Sequence, residues 1–402
     1  MKILILCNKS PYPPKEGGPI AMNAIIEGLI EAGHQVKVLA INTNKYFIKE
    51  NDIPESYRQK TGIETVYIDL SIKPLDALLN LFSKDSYHVQ RFISKEFEKK
   101  LISILQNDTF DIVQLETLYI SPFIETIREN SKAKIVLRAH NIEHLIWERV
   151  AEISSNPLKK LYLKHLAKKL KNYELEIISK YDGIATITSK DASSFKNTGC
   201  EVPIISIPFG IDLEKIKEKP GIKAEFPSLF HIGAMNWMPN IEGIKWFLDK
   251  VWPLIQPEFP NLKFYIAGRS MPSWLYQKQL PNVEIVGEVP DAFDFMYSKA
   301  IEIVPLFSGS GIRIKIIEGM AVAKAIISTT IGAEGINVTH EKNILLADDP
   351  IAFANAVKRC VNDEQFVLSL GTNARELIRN EHSNKQIIEK LTKFYHSLVL
   401  PQ

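Results

Sequence analysis

The sequence predicts an α/β fold of two Rossmann-like, doubly wound domains that face each other across a cleft. First, 402 residues exceed what one ordinary hydrophobic core organises, so about two domains are expected. Second, short apolar runs rich in β-branched residues alternate with longer helical patterns. Third, these runs are apolar almost throughout, which is typical of parallel strands covered on both faces. Together they indicate two consecutive parallel sheets flanked by helices.

The predicted strands form two series separated by a linker. In the first half they lie at 2–7, 36–41, 64–70, 111–116, 134–139, 183–188 and 203–208. In the second half they lie at 229–233, 262–267, 283–286, 301–306, 325–329 and 343–347. Pro208 to Asp212, followed by a charged stretch, has the composition of a linker. The predicted domains are therefore 1–208 and 209–382, and the last segment, 383–402, is expected to pack back on the first.

Composition excludes several classes of protein. A net charge of +2 argues against a nucleic-acid binder. Three widely spaced cysteines without metal-ligand spacing favour free thiols in a reducing compartment. The apolar run at residues 3–7 is too short for a signal peptide, and the sequence holds no run of 18 apolar residues. We therefore expect a cytoplasmic protein.

The most informative stretch is S-G-S-G-I-R-I-K-I-I-E-G-M, residues 308–320, directly after the apolar strand at 301–306. Gly309, Ser310 and Gly311 form a turn with little side-chain bulk, which lets a ligand approach backbone N–H groups. The helix that this turn opens carries partial positive charge at its N-terminus. The pattern favours an anion site at this turn.

Charged side chains follow on the predicted helix. Arg313 and Lys315 oppose the helix dipole at their position, which costs stability unless an anion is bound. Glu318, one helical turn further on, can accept two hydroxyl hydrogen bonds, as a ribose requires. The segment therefore predicts a nucleoside diphosphate site. The alternative is an ordinary strand–turn–helix with a solvated basic face.

Candidates also stand at other strand ends. Gly17 and Gly18 precede a helix and allow close approach to a phosphate or sugar, although a glycine pair is also an ordinary turn. His140 follows strand 134–139, where it can donate a hydrogen bond to a sugar hydroxyl or phosphate, or simply pack. The residues Gly332, Ala333 and Glu334 follow strand 325–329; their N–H groups are expected to face a sugar unless they form a tight turn.

Two further segments have competing interpretations. Asn240, after the first strand of the second domain, fits a helix N-cap, a role that requires no ligand. Residues 157–173 combine lysines, without any acidic residue, with apolar residues at helical spacing. The apolar stripe is expected to belong to the core, while the lysines favour a peripheral contact with anionic lipid headgroups.

These motifs together resemble the retaining GT-B glycosyltransferases of the glycosyl transferases group 1 family. The resemblance rests on the strand followed by G-S-G-x-R-x-K-x-x-E, on Gly17–Gly18, on R-A-H-N-I-E (138–143) and on P-F-G-I-D (208–212). It covers nearly the whole chain. It implies two Rossmann domains that clasp an activated sugar, with Glu318 on the ribose, Gly18 near the donor phosphate and His140 near the sugar hydroxyls.

The chain departs from the family pattern at two places. The first glutamate of the family's pair is expected eight residues before Glu318, where this chain has Ser310. The family's Arg and Lys, which grip the diphosphate after the first strand of the second domain, do not occur in 233–240. We therefore predict that Arg313 and Lys315 supply that charge and act with His140 as the catalytic residues.

The predicted function is retaining transfer of a sugar from a UDP- or GDP-sugar to a glycan acceptor in cell-surface polysaccharide or glycan synthesis. The lysine-rich helix favours a lipid-linked acceptor. The sequence has no Asp-x-Asp pair at a loop, so no metal and no other cofactor are expected. The alternatives are a sugar-nucleotide epimerase of the same fold and a non-catalytic sugar-binding protein.

Overall fold

The computed structural model describes residues 1–14, 17–71, 80, 83, 85–217, 221–309 and 311–400. The chain forms two compact units, each with its own internal contacts. The first comprises Met1–Gly210 and Lys385–Gln402, and the second comprises Ile211–Asn384. The chain thus leaves the first unit once and returns to it at the end.

A seven-stranded parallel sheet forms the centre of the first unit. Its strands are β1 (Lys2–Cys7), β2 (Gln35–Thr43), β3 (Glu64–Ile68), β4 (Ile112–Glu116), β5 (Lys134–Ala139), β6 (Gly183–Thr186) and β7 (Ile204–Ser206). In space they run β3-β2-β1-β4-β5-β6-β7. The order therefore reverses between β1 and β4, which is where an α/β sheet opens a crevice for ligands.

Helices cover both faces of this sheet. They are α1 (Gly17–Glu31), α2 (Glu55–Thr61), α3 (Tyr87–Gln90), α4 (Lys95–Asn107), α5 (Ile124–Asn130), α6 (Glu143–Ile153), α7 (Pro157–Ile177) and α8 (Ser189–Asn197). The strand β1 shows why two layers are needed. Leu4 and Leu6 belong to one core cluster, whereas Ile3 and Ile5 belong to another. Alternate side chains point to opposite faces, and burying each contributes about 1.5–3 kcal/mol.

The second unit has a six-stranded parallel sheet. Its strands are β8 (Glu225–Ile232), β9 (Lys263–Ala267), β10 (Val283–Gly287), β11 (Lys299–Val304), β12 (Ala325–Ser328) and β13 (Leu345–Leu346). They run β10-β9-β8-β11-β12-β13, so the order reverses between β8 and β11. Every predicted strand of both halves overlaps an observed one, and the prediction of two doubly wound sheets is confirmed.

The helices of the second unit are held partly by side-chain caps. They are α9 (Met238–Trp246), which continues through a π-helical turn into α10 (Trp252–Ile255), then α11 (Ser273–Gln277), α12 (Ala292–Tyr297), α13 (Ile314–Ala321), α14 (Pro350–Asn362) and α15 (Glu364–Glu381). Asp291, Asp349 and Asp363 each accept N–H groups of the following first turn. Such a cap stabilises a helix by about 1 kcal/mol.

The last helix, α16 (Asn384–Val399), packs on the first unit. Its Ile387, Leu391 and Tyr395 are buried in the same cluster as Ile3 and Ile5 of β1. The hydroxyl of Tyr395 donates a hydrogen bond to the amide oxygen of Gln114 on β4. Helix α16 is therefore part of the core around β1.

Candidate functional site

In the second unit, the predicted residues gather where β8 and β11 end side by side. The turn after β11 contains Gly309 at a φ of 100° and Gly311 at a φ of 75°. Only glycine adopts this region readily, so the turn needs both residues. Ser310, predicted to contact the donor, lies outside the described residues. The turn leads directly into α13, as predicted.

Arg313 holds the turn from its end. It occupies the N-cap position of α13, is 4% exposed, and its Nη1 donates a hydrogen bond to the carbonyl oxygen of Gly311. Its guanidinium carbon lies 5.8 Å from the ring centre of Trp237, in the loop after β8. The side chain thus connects the loops that follow the two central strands.

Lys315 reaches from α13 into the loop after β8. Its Nζ donates to Oδ1 of Asn240 at 2.8 Å and lies 3.4 Å from Nε2 of His231. A Cβ atom added to Gly233 would overlap this ammonium group. The sequence interpretation of Asn240 as an N-cap is wrong: Trp237 occupies that position, and Asn240 lies inside α9 with its amide directed at the site.

The orientation of the His231 ring follows from its partners. Nδ1 is 2.8 Å from the carbonyl oxygen of Ile303, and because a carbonyl only accepts, Nδ1 carries the hydrogen. Burial and the charge of Lys315 hold the pKa of His231 well below its usual range. The neutral ring therefore presents the lone pair of Nε2 to the lysine ammonium.

Two carboxyl groups stand near the same lysine. Glu302 on β11 is 0% exposed, and among the described residues neither of its carboxyl oxygens has a hydrogen-bond partner. Burial raises the pKa of Glu302 and lowers the pKa of Lys315, while each of the two charges favours the other. Burial also raises the pKa of Glu318 to about 7. Burial therefore disfavours the charged form of each of these three side chains.

The loop after β12 uses its N–H groups internally. Gly332 donates to the hydroxyl of Thr329 at 3.0 Å, Ala333 to the carbonyl of Thr329 at 3.1 Å, and Glu334 to the carbonyl of Ile331 at 3.3 Å. The turn alternative accounts for these three groups, so the expectation that they face a sugar is wrong as to the N–H groups. A Cβ at Gly332 would overlap Ser328, which explains the glycine. Other contacts of this loop with a donor stay a prediction.

In the first unit, His140 lies just past the end of β5 and bonds to Glu116 at the end of β4. Its Nε2 is 2.5 Å from Oε2 of Glu116, and Arg138 Nη1 lies 3.6 Å from the same oxygen. Burial alone would raise the pKa of Glu116, but Arg138, His140 and Gln114 lower it below its usual value. Burial lowers the pKa of His140, so the neutral ring gives its Nε2–H to the carboxylate. The remaining nitrogen, Nδ1, accepts hydrogen bonds, which corrects the predicted donor role.

The glycine pair follows β1 as predicted, but it belongs to the first turn of α1 rather than preceding that helix. Gly17 is exposed, and Gly18 is partly exposed. A Cβ at Gly18 would come within 2.9 Å of both Cε and Nζ of Lys9. Lys9 also lies 4.8 Å above the ring centre of Tyr46 and contributes to lowering the pKa of His140. The structure therefore adds a cation beside Gly18 that the sequence analysis missed.

The remaining missed residues share one signal. His231 and Glu302 interrupt the buried, apolar strands β8 and β11, and Glu116 ends the buried strand β4. A polar group in such a strand is costly to bury without a partner, so it marks a candidate site. Asn240 gave no such signal, because its position near a helix start has an ordinary explanation.

The lysine-rich helix α7 has two faces. Leu166 and Leu170 are buried, as expected of a core stripe. Leu158 and Leu161, however, are 80% and 70% exposed, and Ile153 at the end of α6 is 77% exposed. In the part of the chain that the structure describes, no helix is long and apolar enough to cross a membrane. Over the same residues, the His, Cys, Asp and Glu side chains form no group of three or more that could hold a metal ion.

The fold is also found in known proteins. The fold is shared with sucrose-phosphate synthase from Thermosynechococcus elongatus, at a TM-score of 0.71 and 17% identity over 99% of both chains. It is also shared with Anabaena HepE in complex with UDP-glucose, at 0.67 and 14% over 99% of this chain and 100% of that chain. These neighbours are GT-B glycosyltransferases, and the predicted GT-B fold is confirmed.

Residues 226–363 match the family described as glycosyl transferases group 1. This match lies within the second unit and, together with the shared fold, supports a glycosyltransferase. The chain is 22% identical over 413 residues to an uncharacterized 44.6 kDa protein in the cps region of Klebsiella pneumoniae, covering 98% of this chain and 99% of that protein. It is 27% identical over 200 residues to the capsular polysaccharide biosynthesis glycosyltransferase CapM of Staphylococcus aureus, covering 48% and 52%.

Proposed function

We propose that this glycosyltransferase moves a sugar, with retention of anomeric configuration, from a UDP- or GDP-sugar to a glycan acceptor in cell-surface polysaccharide synthesis. Two relatives support the pathway, since one is encoded in a cps region and the other is named for capsular polysaccharide biosynthesis. The neighbour HepE binds UDP-glucose, which supports a nucleotide-sugar donor.

One observation carries the donor proposal: the ammonium of Lys315 lies against Gly233, in the loop after β8. The family pattern places its diphosphate-binding cations in that loop, where this chain has none. Lys315 on α13 therefore reaches the same location, where the strand order reverses between β8 and β11. Arg313 stands at the start of the same helix. We assign both cations to the diphosphate and Glu318 to the ribose hydroxyls.

The chemistry follows from where charge develops. The bond between the anomeric carbon and the diphosphate oxygen breaks, and negative charge grows on the leaving diphosphate. Arg313, Lys315 and the N-terminus of α13 stabilise that charge more in the transition state than in the ground state, which accelerates the reaction. The acceptor oxygen attacks the same face, and its proton passes to the leaving diphosphate. This route requires neither a nucleophilic carboxylate nor a metal ion.

We assign His140 to a hydroxyl of the transferred sugar, with Nδ1 accepting the hydrogen bond. The bond from Nε2 to Glu116 fixes the tautomer that makes this possible. Gly18, with Lys9 beside it, is assigned to the donor phosphate side.

A lipid-linked acceptor at the inner face of a membrane is the proposal that the lysine-rich helix supports. The exposed Ile153, Leu158 and Leu161 are adjacent to the lysines of α7. Apolar side chains beside lysines suit an anionic lipid surface, where each lysine near the headgroups contributes about 1 kcal/mol.

A donor screen with purified protein tests the function. Thermal shift with UDP, GDP and ADP identifies the base, and slow hydrolysis of the matching sugar nucleotides identifies the sugar. NMR of the released sugar, read before mutarotation, reports the anomer. We expect one nucleotide class to stabilise the protein and Lys315→Met to remove the hydrolysis. The exposed ion-paired Arg359 provides the control, Arg359→Ala. Release of an inverted anomer would overturn retention, and C2 epimerisation without release would favour an epimerase.

A further inference from the structure

A chain of hydrogen bonds holds the ammonium of Lys315 from two sides. On one side, His231 is fixed by the carbonyl of Ile303 at 2.8 Å and offers Nε2 at 3.4 Å. On the other, Asn240 offers Oδ1 at 2.8 Å. These two acceptors fix the directions of two of the three N–H bonds, and the tetrahedral geometry of the ammonium group then fixes the third.

Asn240 is itself locked. Its Nδ2 donates to the carbonyl oxygen of Ala234 at 2.8 Å, so the amide cannot rotate without losing a bond. This contact also identifies which end of the amide faces Lys315, because only Oδ1 can accept from an ammonium. Both His231 and Asn240 are almost fully buried, at 0% and 2% exposure. Each of the two side chains has its own hydrogen bond to the backbone, His231 to Ile303 and Asn240 to Ala234. The position of one therefore does not depend on the other.

Space enforces the arrangement. Gly233 lies against Lys315 Nζ, Asn240 Nδ2 and His231 Nε2 together, and a Cβ at this position would overlap or crowd all three. Gly268, at a φ of 139°, in turn packs against the carbonyl of Gly233. The backbone of Gly233 therefore lies against one side of the lysine head group.

We propose that His231 and Asn240 are positioning residues. They hold the Lys315 ammonium where the strand order reverses between β8 and β11, in place to bind the donor diphosphate. The ligand named here rests on the proposed function; the positioning itself does not. A flexible lysine loses rotamer entropy when it binds an anion, and holding it in advance removes that cost from binding.

The two residues accept hydrogen bonds from the ammonium form of Lys315, which favours the charged lysine. Burial lowers the pKa of Lys315, and the nearby charge of Arg313 lowers it further, whereas Glu302 and Glu318 raise it. A neutral acceptor on each side stabilises the ammonium without adding a negative charge that would repel a diphosphate. An aspartate at position 240 would bind the lysine more strongly but would repel the ligand.

The test measures the protonation of Lys315 directly, without any ligand. Trace acetic anhydride labels neutral amines, so the acetylation of Lys315 against pH, read by mass spectrometry, gives its midpoint. We expect Asn240→Asp to move the midpoint upward by about one pH unit or more. We expect Asn240→Leu and His231→Leu to move it downward. Asn343→Leu, which removes another buried asparagine of the second unit, should leave it unchanged.

The outcomes separate positioning from function. If the midpoints stay together while the variants fold, as judged by thermal unfolding, the positioning proposal is overturned. If they separate, it stands whether or not a nucleotide binds. Protection of Lys315 from labelling by UDP or GDP then tests the proposed function on its own. Should one substitution prevent folding, the midpoints of the other two variants can still be compared with that of the wild-type chain.

Discussion

Nε2 of His140 lies 2.5 Å from Oε2 of Glu116, and this bond decides which ring nitrogen is left for a substrate. Glu116 is 0% exposed and Arg138 lies beside it, so the carboxylate stays ionised and accepts the imidazole N–H. The pair joins the ends of two neighbouring strands, β4 and β5. Because His140 is the residue assigned to the sugar, a substitution of Glu116 tests what this bond contributes to catalysis.

Glu116→Gln should lower kcat/KM for the donor about tenfold, because the neutral amide no longer fixes the tautomer of His140 and one hydrogen bond of about 1 kcal/mol is lost. His140→Ala should show a similar loss. The measurement is steady-state hydrolysis or transfer, with thermal unfolding alongside. The matched control is His34→Gln, because His34 is far from His140 in the sequence and its ring contacts Thr392. Full activity of His140→Ala would remove His140 from the proposed mechanism.

Arg313→Ala should raise the donor KM or abolish turnover without unfolding the protein. A charged hydrogen bond is worth roughly 1.5–3 kcal/mol, so a tenfold to hundredfold loss in kcat/KM is expected. Arg359→Ala, which removes an exposed arginine paired with Glu341, should keep wild-type kinetics. Unchanged kinetics of Arg313→Ala would refute the relocation of the diphosphate-binding charge to α13.

Nucleotide affinity should weaken as pH falls through about 7. Burial raises the pKa of Glu318 to about 7, and a ribose that donates two hydroxyl hydrogens requires the ionised carboxylate. Binding therefore releases the proton of Glu318, and affinity falls up to about tenfold for each pH unit below that value. Calorimetric titration with UDP and GDP over a pH series measures this. In Glu318→Gln the acid limb should be absent; its persistence would assign the limb to another group.

Glu302→Gln should stabilise the protein, and more so at alkaline pH. Burial raises the pKa of Glu302 in the folded chain above its ordinary value of 4.5. The folded state therefore binds this proton more tightly than the unfolded state, and stability is lost as pH rises above the ordinary value. We expect the free energy of unfolding of the variant to exceed that of wild type by about 2 kcal/mol at alkaline pH, and by little at acid pH. Denaturant unfolding at both pH values is the measurement, and equal gains at the two would contradict this account.

Replacing Leu158 and Leu161 by aspartate should release the protein from anionic vesicles. Each exposed leucine that enters the lipid contributes about 1.5–3 kcal/mol, so affinity should fall at least tenfold. Co-sedimentation with phosphatidylglycerol vesicles measures binding, and phosphatidylcholine vesicles test the contribution of the lysines. Leu368→Asp, at an exposed leucine of the second unit, is the control. Equal binding of all three proteins would exclude this surface as the membrane contact.

The sheets could be predicted because their strands are buried on both faces and read as apolar runs. Strand β8 shows the limit: predicted from residue 229, it begins at Glu225. Proline is rare inside a strand, so Pro227 obscures the start of β8 in the sequence. In the structure the proline lies at a shift of register, where Lys299 pairs with Glu225 but Ile301 pairs with Leu229. Strand β13 is shorter than predicted, since only Leu345 and Leu346 pair with β12.

The site was predictable in its loops but not in its contacts. Glycines and charges after strands locate a ligand site, because parallel strands bring their carboxyl ends to one edge. That Lys315 would reach Asn240 and His231 depends on the relative placement of α9 and α13, which no local pattern encodes. His231 and Glu302 were nevertheless marked by polarity within buried strands, a signal that can be applied to other sequences of this kind.

The position of α16 has a consequence for biosynthesis. Because Ile387, Leu391 and Tyr395 complete the core around β1, the first unit lacks part of its interior until the ribosome has made residues 384–399. The second unit, by contrast, has all its strands once Asn384 has been made. Strand β1 is therefore made long before its partners on α16. An isolated N-terminal fragment ending at Gly210 would expose this apolar surface, whereas adding residues 385–399 through a linker would cover it.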